Sequence, residues 1–234
     1  TVFCLWPLTI SSTHHGGPSV VGRYYLRSVY CGLSSKKRAG YWPTEVEMKD
    51  LMVSVSGVRG IVGHSLTPEV ATRFATAFGT FLAGGMVIVG RDSRTSSPML
   101  FHAVCAGLMA SGCQILDVGM CPTPTVLLVS KKMKADGSIV ITASHNPIEW
   151  NGLEFAADSG RLLTTEDQDQ LSQIYQSDSI RFSPWNEQGR IEVLETAIEI
   201  HLEQILNCHW VNLERTHRRN LKVVIDAGNG AGSQ

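Results

Sequence analysis

Ile139-Val140-Ile141-Thr142-Ala143-Ser144-His145-Asn146-Pro147 is the stretch on which the reading of the whole chain turns. Three branched apolar residues bounded by small polar ones read as a buried strand. Asn146 and Pro147 then stop the segment from continuing as strand or helix. A serine just past the C-terminal end of a buried strand sits where open α/β sheets bind their ligands. The residues flanking Ser144 are small or polar and leave its hydroxyl open. Taken alone, the segment also reads as a capped loop with an ordinary serine.

Outward from this loop the pattern is regular. Met86–Val89, Gln114–Val118, Leu51–Val55 and Ser138–Thr142 read as four strands. Between them lie amphipathic helices opened by one device, a hydroxyl before a proline, at Thr67-Pro68, Ser97-Pro98 and Thr123-Pro124. The third helix closes on Lys131, Lys132 and Lys134, cations suited to a helix C-terminus. Repeated βα order predicts an α/β fold with a mainly parallel or mixed sheet covered by helices. Asn151-Gly152 reads as a turn into a short strand, Leu153–Phe155, near an edge. Thr164-Thr165-Glu166 opens a polar helix to about Gln176, and Ile191 to Leu206 carries one helical apolar stripe. Glu214 to Asn220 reads as a charged linker. Leu221–Asp226 then reads as a new strand entering the glycine turn Gly228–Gly232, which resembles the start of a second α/β domain. That turn alone is a weak dinucleotide signal, because no helix stands behind it.

Composition narrows the function classes. The chain has 234 residues, 43% of them hydrophobic and 18% charged, with a net charge of −1. Five basic residues and no acid fall in residues 1–44, leaving 15 basic and 21 acidic residues beyond them. A body this acidic argues against nucleic acid, whose binding needs cations to displace counterions. No apolar run is long enough to suggest a membrane span. The six cysteines show no metal-ligand spacing and read as small hydrophobes in a reducing, cytoplasmic setting. Residues 1–47, basic and serine-rich, read as a leader outside the folded body, with a transit peptide as the other reading. Met48 would make a natural start.

Five ordered segments resemble the α-D-phosphohexomutases, the phosphoglucomutase and phosphomannomutase family. They are Ser56-Gly57-Val58-Arg59-Gly60, Gly90-Arg91-Asp92-Ser93-Arg94, Pro122-Thr123-Pro124-Thr125, Thr142–Pro147 with Asn151-Gly152, and Val224–Gly230. With residues 1–47 read as a leader and 213–220 as a linker, the resemblance implies a first family domain with the phosphoserine loop (48–212) and the truncated start of a second domain (221–234). It implies interconversion of hexose 1-phosphate and hexose 6-phosphate through a phosphoserine and a hexose 1,6-bisphosphate. The phosphorylated hexose is then the partner, and Mg2+ the cofactor, bound through the Ser144 phosphate.

Ser144 would be the phosphoserine, with Arg59 and His145 beside it as catalytic residues. Thr142, Asn146 and Ser56 would shape the phosphate loop. Arg91, Asp92 and Arg94 have a structural reading as a local ion-pair cluster fixing a loop. Thr123 reads as a helix cap, and Asn151 and Gly152 as support. One departure stands out: where the family loop reads N-G-x-K, this chain has Glu154, a reversed charge. The family's three-aspartate metal loop, sugar-specificity loop and terminal phosphate loop find no match here, so the chain is expected to lack appreciable turnover alone. A metal-assisted phosphatase and a non-catalytic phosphosugar-binding module are the competing readings.

Overall fold

The structure is a computed structural model that describes residues 51–54, 57–177, 179–219 and 222–233. The expected leader, Ser56, Cys4 and Cys31 lie outside the described residues.

Among the described residues, seven strands form one sheet: β1 (Met52–Ser54), β2 (Gly57–Ile61), β3 (Met86–Arg91), β4 (Gln114–Met120), β5 (Gly137–Ile141), β6 (Trp150–Ala157) and β7 (Ile191–Val193). Their order is β1-β2-β6-β5-β3-β4-β7. β5, β3, β4 and β7 run parallel, whereas β1, β2, β6 and β5 are joined antiparallel. The sheet is therefore mixed, as one of the two expected forms. The segment expected as a further strand, Leu221–Asp226, forms no strand over its described residues 222–226, and Val223, Val224 and Ile225 are 72%, 98% and 84% exposed. A strand gains stability from a neighbour's hydrogen bonds and a covered face, and neither is present there.

The helices are α1 (Pro68–Phe81), α2 (Ser97–Ala110), α3 (Thr123–Met133), α4 (Thr165–Gln176), α5 (Ala197–Leu206) and α6 (Leu213–Arg218). The alternation along β3 shows the two faces it serves. Val87 and Val89 enter a core with α1, α2 and α4, including Phe74, Phe78, Leu100 and Val104. Ile88 enters a second core with Val126 and Val129 of α3 and Ala197 of α5. Helices thus cover both sheet faces. α4 is fastened to α1 by the stacked rings of Phe74 and Tyr175 and by Arg73 Nε donating to the Tyr175 carbonyl at 2.7 Å. α5 is fastened to α3 by a 2.8 Å hydrogen bond between Thr125 and His201.

Caps account for the helix boundaries, with two corrections. Thr67 caps α1, accepting from the Val70 amide at 3.3 Å, and Thr164 and Asp167 form a reciprocal capping box on α4. Thr123 is no cap: Pro122 holds that position and Thr123 begins the helix. Ser97 likewise lies inside α2, and its hydroxyl donates to Asp92 instead. The expected stripe from Ile191 to Leu206 is split, its first residues adding β7 beside β4 before α5 begins. The charged stretch read as a linker carries α6, exposed throughout. Cys105, Cys113 and Cys121 are buried and free, matching their reading as small hydrophobes. Burial, aided by the Asp117 charge, pushes the Cys105 and Cys121 thiols up to about 12 and about 11.

Candidate functional site

The parallel strands end on one rim of the sheet, and the five-residue β5, buried throughout, delivers Ser144 to it. The connection from β5 to β6 is short and joins two adjacent central strands. Its backbone turns through a left-handed conformation at Ser144, where φ is 53°. Left-handed backbone is uncommon for a residue with a Cβ and persists where its surroundings hold it. Here they do. The Ser144 amide donates to Thr142 Oγ1 at 3.0 Å, and Thr142 Oγ1 donates to Asp92 Oδ2 at 2.8 Å. Ala143 is buried beneath, while Ser144 and His145 are exposed. The Ser144 hydroxyl has His145 Nδ1 as a hydrogen-bond partner at 3.3 Å.

Asp92 and Arg94, directly after β3, organise the loop from below. Asp92 accepts from the Arg94 amide at 3.1 Å, from Arg94 Nε at 3.2 Å, from Ser97 Oγ at 2.8 Å and from Thr142. The Arg94 guanidinium then donates to four backbone carbonyls of the serine loop and its exit: Ser144 at 3.1 Å, Asn146 at 2.7 Å, Pro147 at 2.6 Å and Trp150 at 3.0 Å. The guanidinium's fixed, planar fork of donors suits this arrangement. Asn151, fully buried at the start of β6, donates to Ser96 Oγ and Ser97 Oγ at 2.9 and 3.0 Å. Its side-chain Oδ1 accepts from the Gly152 amide at 2.8 Å. Gly152 is a close-approach position, since a Cβ there would lie 2.6 Å from the Val58 carbonyl and 2.7 Å from that of Thr142.

Arg59 comes from the other side, in the middle of β2, paired with Gly152 of β6. It donates to Asn146 Oδ1 at 3.2 Å and to Glu154 Oε1 at 2.9 Å. Its Nε is buried with no hydrogen-bond partner. Glu154 occupies β6 opposite Val140 of β5. Burial raises its carboxyl above the usual glutamate range; Arg59 opposes that shift and the Asp92 charge adds to it.

The structure thus gathers Arg59, Asp92, Arg94, Thr142, Ser144, His145, Asn146, Asn151 and Gly152 around one rim. It separates Arg91 from them. Arg91, the last residue of β3, instead donates to Asp117 Oδ1 of β4 at 2.9 Å and lies over the Phe101 ring. Thr123 sits at the start of α3, and Ser56 is outside the described residues. The serine pair Ser96 and Ser97 and the Arg59–Glu154 contact were not anticipated from the sequence. Among the described residues, no group of three or more His, Cys, Asp or Glu side chains could hold a metal ion. The two carboxylates by the loop, Asp92 and Glu154, are each engaged by an arginine. These residues alone therefore do not make a divalent-cation site. No helix among the described residues is long and apolar enough to cross a membrane.

Residues 51–181 match the family model described as phosphoglucomutase/phosphomannomutase, alpha/beta/alpha domain I. A probable phosphoglucosamine mutase of Pyrococcus abyssi is 42% identical over 178 residues, 76% of this chain and 38% of that protein. A phosphoglucomutase/phosphomannomutase of Thermococcus kodakarensis is 40% identical over 182 residues, 76% of this chain and 39% of its own length. The chain thus spans about two fifths of the curated relatives it matches. Among solved structures, a phosphoglucomutase/phosphomannomutase family protein from Burkholderia thailandensis superposes with a TM-score of 0.56 at 28% identity. That match covers 66% of this chain and 36% of the solved one.

Proposed function

Because the chain belongs to the phosphoglucomutase/phosphomannomutase family through its domain I, we propose that it carries the phosphoryl-transfer serine of a phosphohexomutase. Ser144 is the carrier, and the parent activity interconverts hexose 1-phosphate and hexose 6-phosphate through a hexose 1,6-bisphosphate. The observation that supports this reading best is the exposed Ser144 hydroxyl on a left-handed turn, braced by Thr142, Asp92 and Arg94. A nucleophile held in one geometry reacts without having to be ordered first.

In the forward transfer, the bond from phosphorus to Ser144 Oγ breaks and a bond from phosphorus to a sugar hydroxyl oxygen forms. The sugar hydroxyl gives up its proton and Ser144 Oγ regains one. His145, whose Nδ1 lies 3.3 Å from Oγ, is positioned to hold that hydroxyl's hydrogen bond. Arg59, already bonded to Asn146, offers the loop a cation. Mg2+ would neutralise charge on a Ser144 phosphate, with its other ligands outside the described residues.

Within this proposal, residues 48–212 are the first family domain, 213–220 the linker and 221–234 the start of a second domain. Residues 1–47 are a leader, and the setting is cytoplasmic. A phosphosugar-binding role is the second reading, favoured by Glu154 where the family pattern carries lysine.

Incubating the chain with glucose 1,6-bisphosphate, followed by intact-mass measurement and peptide mapping, tests the proposal. One phosphoryl group on Ser144, absent from Ser144→Ala, is expected. A chain that accepts no phosphate from the bisphosphate, while still binding it, would overturn the carrier reading in favour of the binding one.

A further inference from the structure

Two arginines bond to the serine loop, and they are in opposite electrostatic situations. Arg94 is spent: it serves four carbonyls and the Asp92 carboxylate. Arg59 reaches the loop through one contact, with Asn146, keeps an unpartnered Nε and has its charge offset by Glu154. We propose that Glu154 is a positioning and charge-setting residue for the serine loop. It holds Arg59 beside Asn146 and, while ionised, cancels the cation that a dianionic phosphoryl group at Ser144 would otherwise meet.

The geometry makes the coupling direct. Arg59 and Glu154 come from neighbouring antiparallel strands, with Gly152 opposite Arg59 and Glu154 two residues further on. Successive residues alternate faces, so Arg59 and Glu154 share one. The groups acting on Glu154 are Arg59 from β2 and Asp92 from the segment after β3, while the residue opposite it on β5 is the uncharged Val140. Arg94 is bound to Asp92, and His145 is exposed on the loop above. Burial already favours the neutral carboxyl. An arriving anion pushes the same way, because it repels ionised Glu154 and attracts Arg59. By linkage, anion binding must raise the Glu154 titration midpoint, and protonation of Glu154 must tighten anion binding.

This proposal deepens the phosphoryl-carrier reading by assigning regulation of the same loop, but its test does not require phosphoryl transfer. Sulfate is the probe, being dianionic across the relevant pH range. Its binding is followed by the amide signals of Ser144, His145 and Asn146 in the 234-residue chain. At pH 8, Glu154→Gln should bind sulfate roughly five-fold more tightly than wild type. In the unaltered chain, saturating sulfate should raise the midpoint of the Glu154 carboxyl carbon resonance, a measurement independent of any variant's folding. Equal sulfate affinities together with an unmoved Glu154 midpoint would overturn the proposal. Failure of Ser144 to take phosphate from the bisphosphate would overturn the carrier reading while leaving the sulfate result intact.

Discussion

Arg94 shows how one side chain can determine the shape of a loop. Its four carbonyl partners belong to residues 144–150, and those groups otherwise depend on water at an exposed turn. The side chain is 13% exposed and its partner Asp92 19%, so removing the charge strands a largely desolvated carboxylate. Arg94→Met should cost about 2–3 kcal/mol in urea unfolding. The Ser144 and Asn146 amides should lose hydrogen-exchange protection in the same variant. Unchanged stability and protection would mean that Asp92 and Thr142 hold the loop unaided. Arg91 lies three residues earlier in the same motif but does different work, because it is the last residue of β3 and is engaged by Asp117 of the neighbouring β4 and by the Phe101 ring. Adjacency in sequence gave no sign of that division, which follows from β4 lying beside β3.

At the scale of elements, what was legible followed burial. β3, β4 and β5 are near-continuous apolar runs, as strands covered on both faces should be. β2 was hidden because Gly57-Val58-Arg59-Gly60 has two glycines and a charge, so it reads as loop. β6 was read as a three-residue strand near an edge and is eight residues long in the sheet interior. Its polar members, Asn151 and Glu154, broke the apolar pattern because each is buried against a specific partner. The serine loop, Asp92, Arg94 and Arg59 could be named from motif spacing. The Ser97 and Glu154 contacts could not, since they depend on which strands become neighbours across 54 to 95 residues. The closeness of that packing yields a prediction. In Gly152→Ala the new methyl would press on the Val58 and Thr142 carbonyls, parting β6 from its surroundings. Thermal unfolding should show a loss of about 3 kcal/mol or more. A near-neutral result would show that β2 can move away without penalty.

Across the whole molecule, stability should be graded from the sheet centre to the chain's end. Ile139, Val140 and Ile141 are at most 1% exposed, while every residue of α6 is exposed, as is each of residues 222–227. Hydrogen exchange should therefore find the β5 amides opening only with global unfolding. Residues 222–227 should exchange at nearly the rate of an unstructured peptide. Comparable protection in the two regions would contradict this gradient. The serine loop lies near the protected end of the gradient, since it is the direct link between β5 and β6 and is bolted to the segment after β3. Its hydroxyl is consequently a fixed post, not a swinging arm. For the proposed carrier, such a post has almost no reach, so the travel in any exchange would fall to the small molecule, which would have to come to the post, turn there and leave.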